Sequence, residues 1–123
     1  MEESLIIRGV AFDIDGTLYP NRRMYRASLG IVLSNLRLFR AFGAARKDVR
    51  TRHPIADLRR ETAELTAQRL KITPDEATQR IDEVIYHRWE RVLTRVPLYS
   101  GVTDLLTDLR GRGIPLGVMS DFP

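Results

Sequence analysis

Phe12-Asp13-Ile14-Asp15-Gly16-Thr17-Leu18 is the stretch on which the reading of the fold turns. In front of it, Leu5, Ile6 and Ile7, then Val10, Ala11 and Phe12, form a nearly continuous apolar run interrupted only by Arg8 and Gly9. Such a run predicts a central parallel strand covered on both faces. The strand ends in a polar, glycine-containing turn. Asp13 and Asp15 are two positions apart, so on extended backbone their side chains point the same way, and the turn lets them converge. In open α/β sheets, ligands bind outside the carboxyl ends of the strands. Two close carboxylates repel, and a shared proton or a divalent cation relieves this. Oxygen donors without neighbouring His or Cys favour Mg2+ over zinc. A carboxylate can also attack phosphorus and form an aspartyl-phosphate. Gly16 suits a position of positive φ or close backbone approach. Asp-Gly is also a common turn dipeptide. The apolar strand before it and the helical block after it favour the functional reading.

Outward from this turn, the pattern changes to helical spacing. Leu29, Val32, Leu33, Leu36, Phe39 and Phe42 recur every three or four residues, which predicts one helix with Gly43 as its terminator. Ile55, Leu58, Thr62 and Leu65 mark a second helix. A third has a clear start, with Thr73 as N-cap, Pro74 at the first helical position and Glu76 as capping-box partner. Its apolar face runs Ile81, Val84, Ile85, Arg88 or Trp89, then Val92. After the turn Pro97-Leu98-Tyr99-Ser100-Gly101, Val102 to Arg110 predicts a short helix with Leu105, Leu106 and Leu109 inward. It ends near Gly111 or Gly113. Ile114 to Met119 then predicts a second buried strand, ending at Ser120-Asp121.

The chain has 123 residues, 29% charged and 43% hydrophobic, the composition of a soluble globular protein. No apolar run approaches the roughly 20 residues of a membrane span. The acidic start, Met-Glu-Glu-Ser, does not resemble a signal peptide. There is no cysteine, which excludes disulfides, thiolate metal sites and thiol catalysis. A cytoplasmic location is the default expectation. The net charge of +4 is uneven, with eleven Lys/Arg against two acids between Asn21 and Arg60. Such a block could meet nucleic acid or an anionic small molecule, but the solvated face of amphipathic helices is the expected reading. No nucleic-acid-binding signature accompanies it, so nucleic acid is not the expected partner. His53 and His87 lack carboxylate partners at ligand spacing and read as structural or surface residues.

A hydrophobic strand followed by Asp-x-Asp-Gly-Thr-Leu resembles the first signature of the haloacid dehalogenase superfamily. Gly117-Val118-Met119-Ser120-Asp121 is similar to its second signature, a hydrophobic strand ending in Ser or Thr. The resemblance implies an α/β, Rossmann-like core, incomplete here with two parallel strands readable, and an inserted α-helical cap. Residues 1–20 and 97–123 would be the partial core and residues 21–96 the cap. It implies Asp13 as nucleophile and Asp15 as general acid/base. Mg2+ would be held by the Asp13 side chain and the Asp15 backbone carbonyl. Ser120, with Asp121 and Gly16, would bind the substrate's phosphoryl group. Family dehalogenases and phosphonatases lack an Asp at the position of Asp15, so the resemblance implies hydrolysis of a small phosphorylated metabolite. A sugar-phosphate mutase is the alternative, as is an inactive fragment whose basic helical block binds a partner. Arg22, Arg23, Tyr25 and Arg26 enter the cap region and could meet an anionic substrate, while Trp89 reads as cap core. The family pattern also requires a downstream Lys and an acidic metal signature. Neither can be placed by Pro123, and Lys47 and Lys71 lie between the two signatures. The expectation is therefore a truncated frame, or a core completed by another chain, with poor activity alone.

Overall fold

The computed structural model describes residues 6–52 and 54–120. His53 and Asp121 lie outside the described residues. Two short strands, β1 (Val10–Asp13) and β2 (Leu116–Met119), pair in parallel, with Val10 opposite Leu116 and Asp13 opposite Met119. Between them run α1 (Asn21–Ser34), α2 (Leu36–Arg50), α3 (Leu58–Leu70), α4 (Pro74–Arg80), a π-helical segment (Ile81–Trp89), α5 (Glu90–Leu93) and α6 (Val102–Gly111). This is a helix-rich chain with an incomplete α/β core. Parallel strands cannot be joined by a tight hairpin and need a crossover connection, which all of this helical sequence supplies.

The chain divides into two compact units. One gathers the described residues up to Arg26 with those from Val96 onward, and the other is Ala27–Arg95. In the first unit, hydrogen bonds tie the departing chain to the returning one. The Tyr99 N–H donates to Leu18 O at 2.8 Å. Arg23 Nη1 donates to the carbonyls of Pro97 and Leu98, each at 3.0 Å. These bonds explain why the opening turns of α1 group with the strands. Arg23 is thus engaged by backbone carbonyls, whereas Arg22, Tyr25 and Arg26 are exposed.

The expected buried strands are another correction. Strand pairing begins only at Val10, and Ile6 and Ile7 are 75% and 63% exposed. Val10 and Phe12 are half-buried, but every residue of β2 is exposed. Two strands and α6 alone cannot cover both faces of a sheet. For the same reason no α6 residue is fully buried, and Leu105 is exposed while Leu106 and Leu109 are half-buried.

The second unit holds most of the core. Leu38, Ala41, Phe42, Ala45 and Val49 of α2 are buried, as are Thr62, Ala63, Thr66 and Ala67 of α3. Ala77, Ile81, Val84 and Ile85 join them from the third helical stretch. The small residues of α3 suit close approach of α2 and α3. Thr62 and Thr66 satisfy their hydroxyls on the carbonyls one turn back, at 2.7 Å each. Trp89 packs edge-on against Phe39 at 5.2 Å and donates its Nε1–H to Ser28 Oγ at 2.7 Å. Thr73 caps α4 by accepting the Glu76 N–H at 3.2 Å, with Pro74 at the first helical position. The Glu76 carboxylate is turned to Arg80, at 2.6 Å.

The expected single helix through Phe42 is broken at Asn35, and Gly43 lies inside α2 instead of ending a helix. Ser34 Oγ donates to Gly30 O at 2.7 Å and Asn35 Nδ2 to Ile31 O at 3.0 Å. Side chains that bond to the preceding turn compete with the backbone ladder and bend it.

Candidate active site

The loop after β1 is built by a tight turn. The Ile14 carbonyl accepts from both the Thr17 N–H (3.2 Å) and the Leu18 N–H (3.0 Å). Gly16 makes this possible with φ 79, a left-handed conformation that side-chain-bearing residues adopt at a cost. A Cβ on Gly16 would also stand 2.9 Å from Asn21 Nδ2, so the Asn21 side chain would have to shift as well.

The turn returns the chain beside itself, with Asp15 and Tyr19 forming an isolated bridge. Each aspartate thereby meets a hydroxyl four residues later. Thr17 Oγ1 donates to Asp13 Oδ2 at 2.7 Å. Tyr19 Oη donates to Asp15 Oδ1. Both carboxylates are exposed, whereas Tyr19 is only 6% exposed. Burial first, then the hydrogen bond to Asp15 and the negative charges of Asp15 and Asp13, hold the Tyr19 phenol well above its ordinary value. It is therefore a donor at neutral pH.

Asp13 pairs with Met119, so Ser120 begins one residue past the partner of Asp13. Adjacent strands lie about 4.8 Å apart, which puts Ser120 at the same sheet end as Asp13 and Asp15. The structure thus brings Asp13, Asp15, Gly16 and Ser120 to one end of one sheet. Sequence reasoning gave no role to Thr17 and Tyr19. Their signal was the repeated four-residue interval from carboxylate to hydroxyl, legible only once the turn is known. A separate cavity of about 690 Å³ in the helical unit is lined by Phe42, Arg59, Tyr86 and neighbouring charged residues. None of its lining residues belongs to the loop.

A family model described as haloacid dehalogenase-like hydrolase matches residues 7–123. The chain belongs to this family. Both the β1 loop and the end of β2 fall within the matched stretch of this haloacid dehalogenase-like hydrolase. Comparison with curated proteins and with solved structures gives no match. No helix among the described residues is long and apolar enough to cross a membrane.

Hydrolases of this family generally use Mg2+. The donors at the loop suit it chemically: they are hard oxygens, and Mg2+ is commonly held by one or two carboxylates together with water and substrate phosphate. Among the described residues there is no group of three or more His, Cys, Asp or Glu that could hold a metal. Among the described residues the loop therefore offers a partial set of donors.

Proposed function

We propose that this hydrolase cleaves a phosphoric monoester of a small metabolite with Mg2+, through an aspartyl-phosphate on Asp13. The observation that carries the reading is the pair of exposed carboxylates at the carboxyl end of β1, each with one oxygen held by a hydroxyl, beside the strand that leads into Ser120. Thr17 occupies Asp13 Oδ2 and so leaves Oδ1 to attack phosphorus. As the Asp13 oxygen bonds to phosphorus, the ester oxygen–phosphorus bond breaks. The leaving oxygen takes the proton carried by Asp15. An alkoxide leaves poorly unprotonated, which is why a second acid beside the nucleophile favours ester chemistry. In the second half, Asp15 takes a proton from water as that water attacks phosphorus, and the bond to Asp13 breaks. Ser120 and the backbone around Gly16 hold the phosphoryl oxygens. Mg2+, held by the Asp13 carboxylate and the Asp15 carbonyl, would supply positive charge against the repulsion between nucleophile and phosphate.

The test is Mg2+-dependent hydrolysis of phosphomonoesters by the full-length protein and by its Asp13→Asn variant. Turnover should fall by about 1,000-fold or more, as loss of a covalent nucleophile does. Acid-quenched protein should carry phosphate on Asp13 in the parent alone. Unchanged turnover in Asp13→Asn, or no hydrolysis of any phosphomonoester, would remove the reading. A phosphomutase would share the first half-reaction, and product analysis with sugar phosphates separates the two.

A further inference from the structure

We propose that Tyr19 is a positioning residue for Asp15, its hydroxyl holding Oδ1 so that Oδ2 is the oxygen that carries a proton to and from substrate. This rests on the reading of Asp15 as general acid/base.

Three observations support it. The first is the direction of the hydrogen bond, since the phenol donates and Asp15 Oδ1 accepts. An oxygen already accepting that bond is the poorer place for a proton, so the acid form carries it on Oδ2. The second is the contrast in burial. Tyr19 is one of the few buried residues of the strand unit, while its acceptor is a solvent-facing carboxylate. The phenol is spent on a side chain that water would otherwise hydrate. The third is how firmly the donor is placed. The Ile14 carbonyl closes the turn on its near side, and Leu18 O accepts the Tyr99 N–H from the returning chain at 2.8 Å. Tyr19 thus directly follows a residue, Leu18, that is anchored through both its N–H and its carbonyl.

An exposed aspartate otherwise samples several staggered rotamers. Restricting Asp15 to one of them is a positioning effect, and misplacement by about 1 Å can cost on the order of 100-fold in rate. Tyr19 itself touches no reacting atom. When Oδ2 gives its proton to the leaving oxygen, Oδ1 remains on the phenol, and Oδ2 is the same oxygen that takes the proton from water.

Tyr19→Phe in the complete chain keeps the ring and removes the hydroxyl. Two readouts decide the matter. The three-bond Hα–Hβ couplings of Asp15 should report a single rotamer in the parent and averaging in Tyr19→Phe. The kcat for an alkyl phosphate, whose leaving group needs protonation, should fall about 10- to 100-fold. The kcat for p-nitrophenyl phosphate should change several-fold less, and KM should hold for both. Asp15 couplings identical in the two proteins would overturn the proposal, as would an equal loss on both esters. Absence of any phosphomonoesterase activity would instead remove the reading of the reaction, and the couplings would still decide whether Tyr19 holds Asp15.

Discussion

Lys71 closes α3 in the left-handed region, with φ 57, the one described non-glycine residue there. Its N–H reaches Gln68 O and the Ile72 N–H reaches Ala67 O, so the helix ends in a Schellman arrangement. A residue with a Cβ pays about 1 kcal/mol for this conformation. Lys71→Gly should therefore raise stability by roughly 0.5–1 kcal/mol, even after the greater freedom of glycine in the unfolded chain. Thermal unfolding should show the midpoint rising by a few degrees. The site residues obey equally local rules. The aspartates were legible because their chemistry is written in residue type and interval. Thr17 and Tyr19 were not, because a hydroxyl has many ordinary roles and its partner depends on the turn.

Among the elements, two glycines carry opposite consequences. Gly113 ends α6 at φ 71, with its N–H on Arg110 O and the Ile114 N–H on Leu109 O. Gly43 sits inside α2 on its exposed face. Neither has an atom within 4 Å of where a Cβ would stand, so backbone conformation alone decides the effect. Gly43→Ala should stabilise by about 1 kcal/mol. Gly113→Ala should destabilise by about 1–2 kcal/mol. Urea unfolding of the first, and amide exchange at Ile114 in the second, check the two signs. The sequence pattern placed the end of α6 near Gly111 or Gly113 because apolar spacing stops there, and the helix runs to Gly111 with Gly113 in the left-handed turn that follows. It misplaced an end at Gly43 because a glycine in a continuing amphipathic pattern is tolerated, and the break fell instead at Asn35.

For the whole molecule, a half-buried tyrosine links stability to pH. Tyr86 packs edge-on to Phe42 with the Arg59 guanidinium 4.6 Å from its ring centroid. Burial raises its pKa most, Arg59 and Arg46 pull it down, and Asp82 adds to the rise. Between the unfolded value near 10 and the folded one, the unfolded chain binds fewer protons than the native protein. Stability from this group is therefore complete below about pH 10 and lost as pH rises through the folded pKa. Denaturation measured from pH 9 upward should show a falling slope that is shallower in Tyr86→Phe. The basic stretch is also partly used internally. Arg46 lies 5.9 Å from the Phe42 ring centroid and Arg60 pairs with Glu64.

What the sequence by itself determined is local. The Asp13–Asp15 loop, the Thr73-Pro74 cap, the apolar faces of the helices and the order of strands around a helical block all depend on residues within a turn or two. What only the tertiary structure decided depends on groups far apart in the chain. The pairing of Val10 with Leu116 brings Ser120 to the end of β1. Arg23 is bonded to carbonyls more than 70 residues away in the chain. The strands read as buried from their apolar residues, yet burial is set by what packs on them. Composition records a preference for leaving water, and only the packed neighbours determine whether that preference is met.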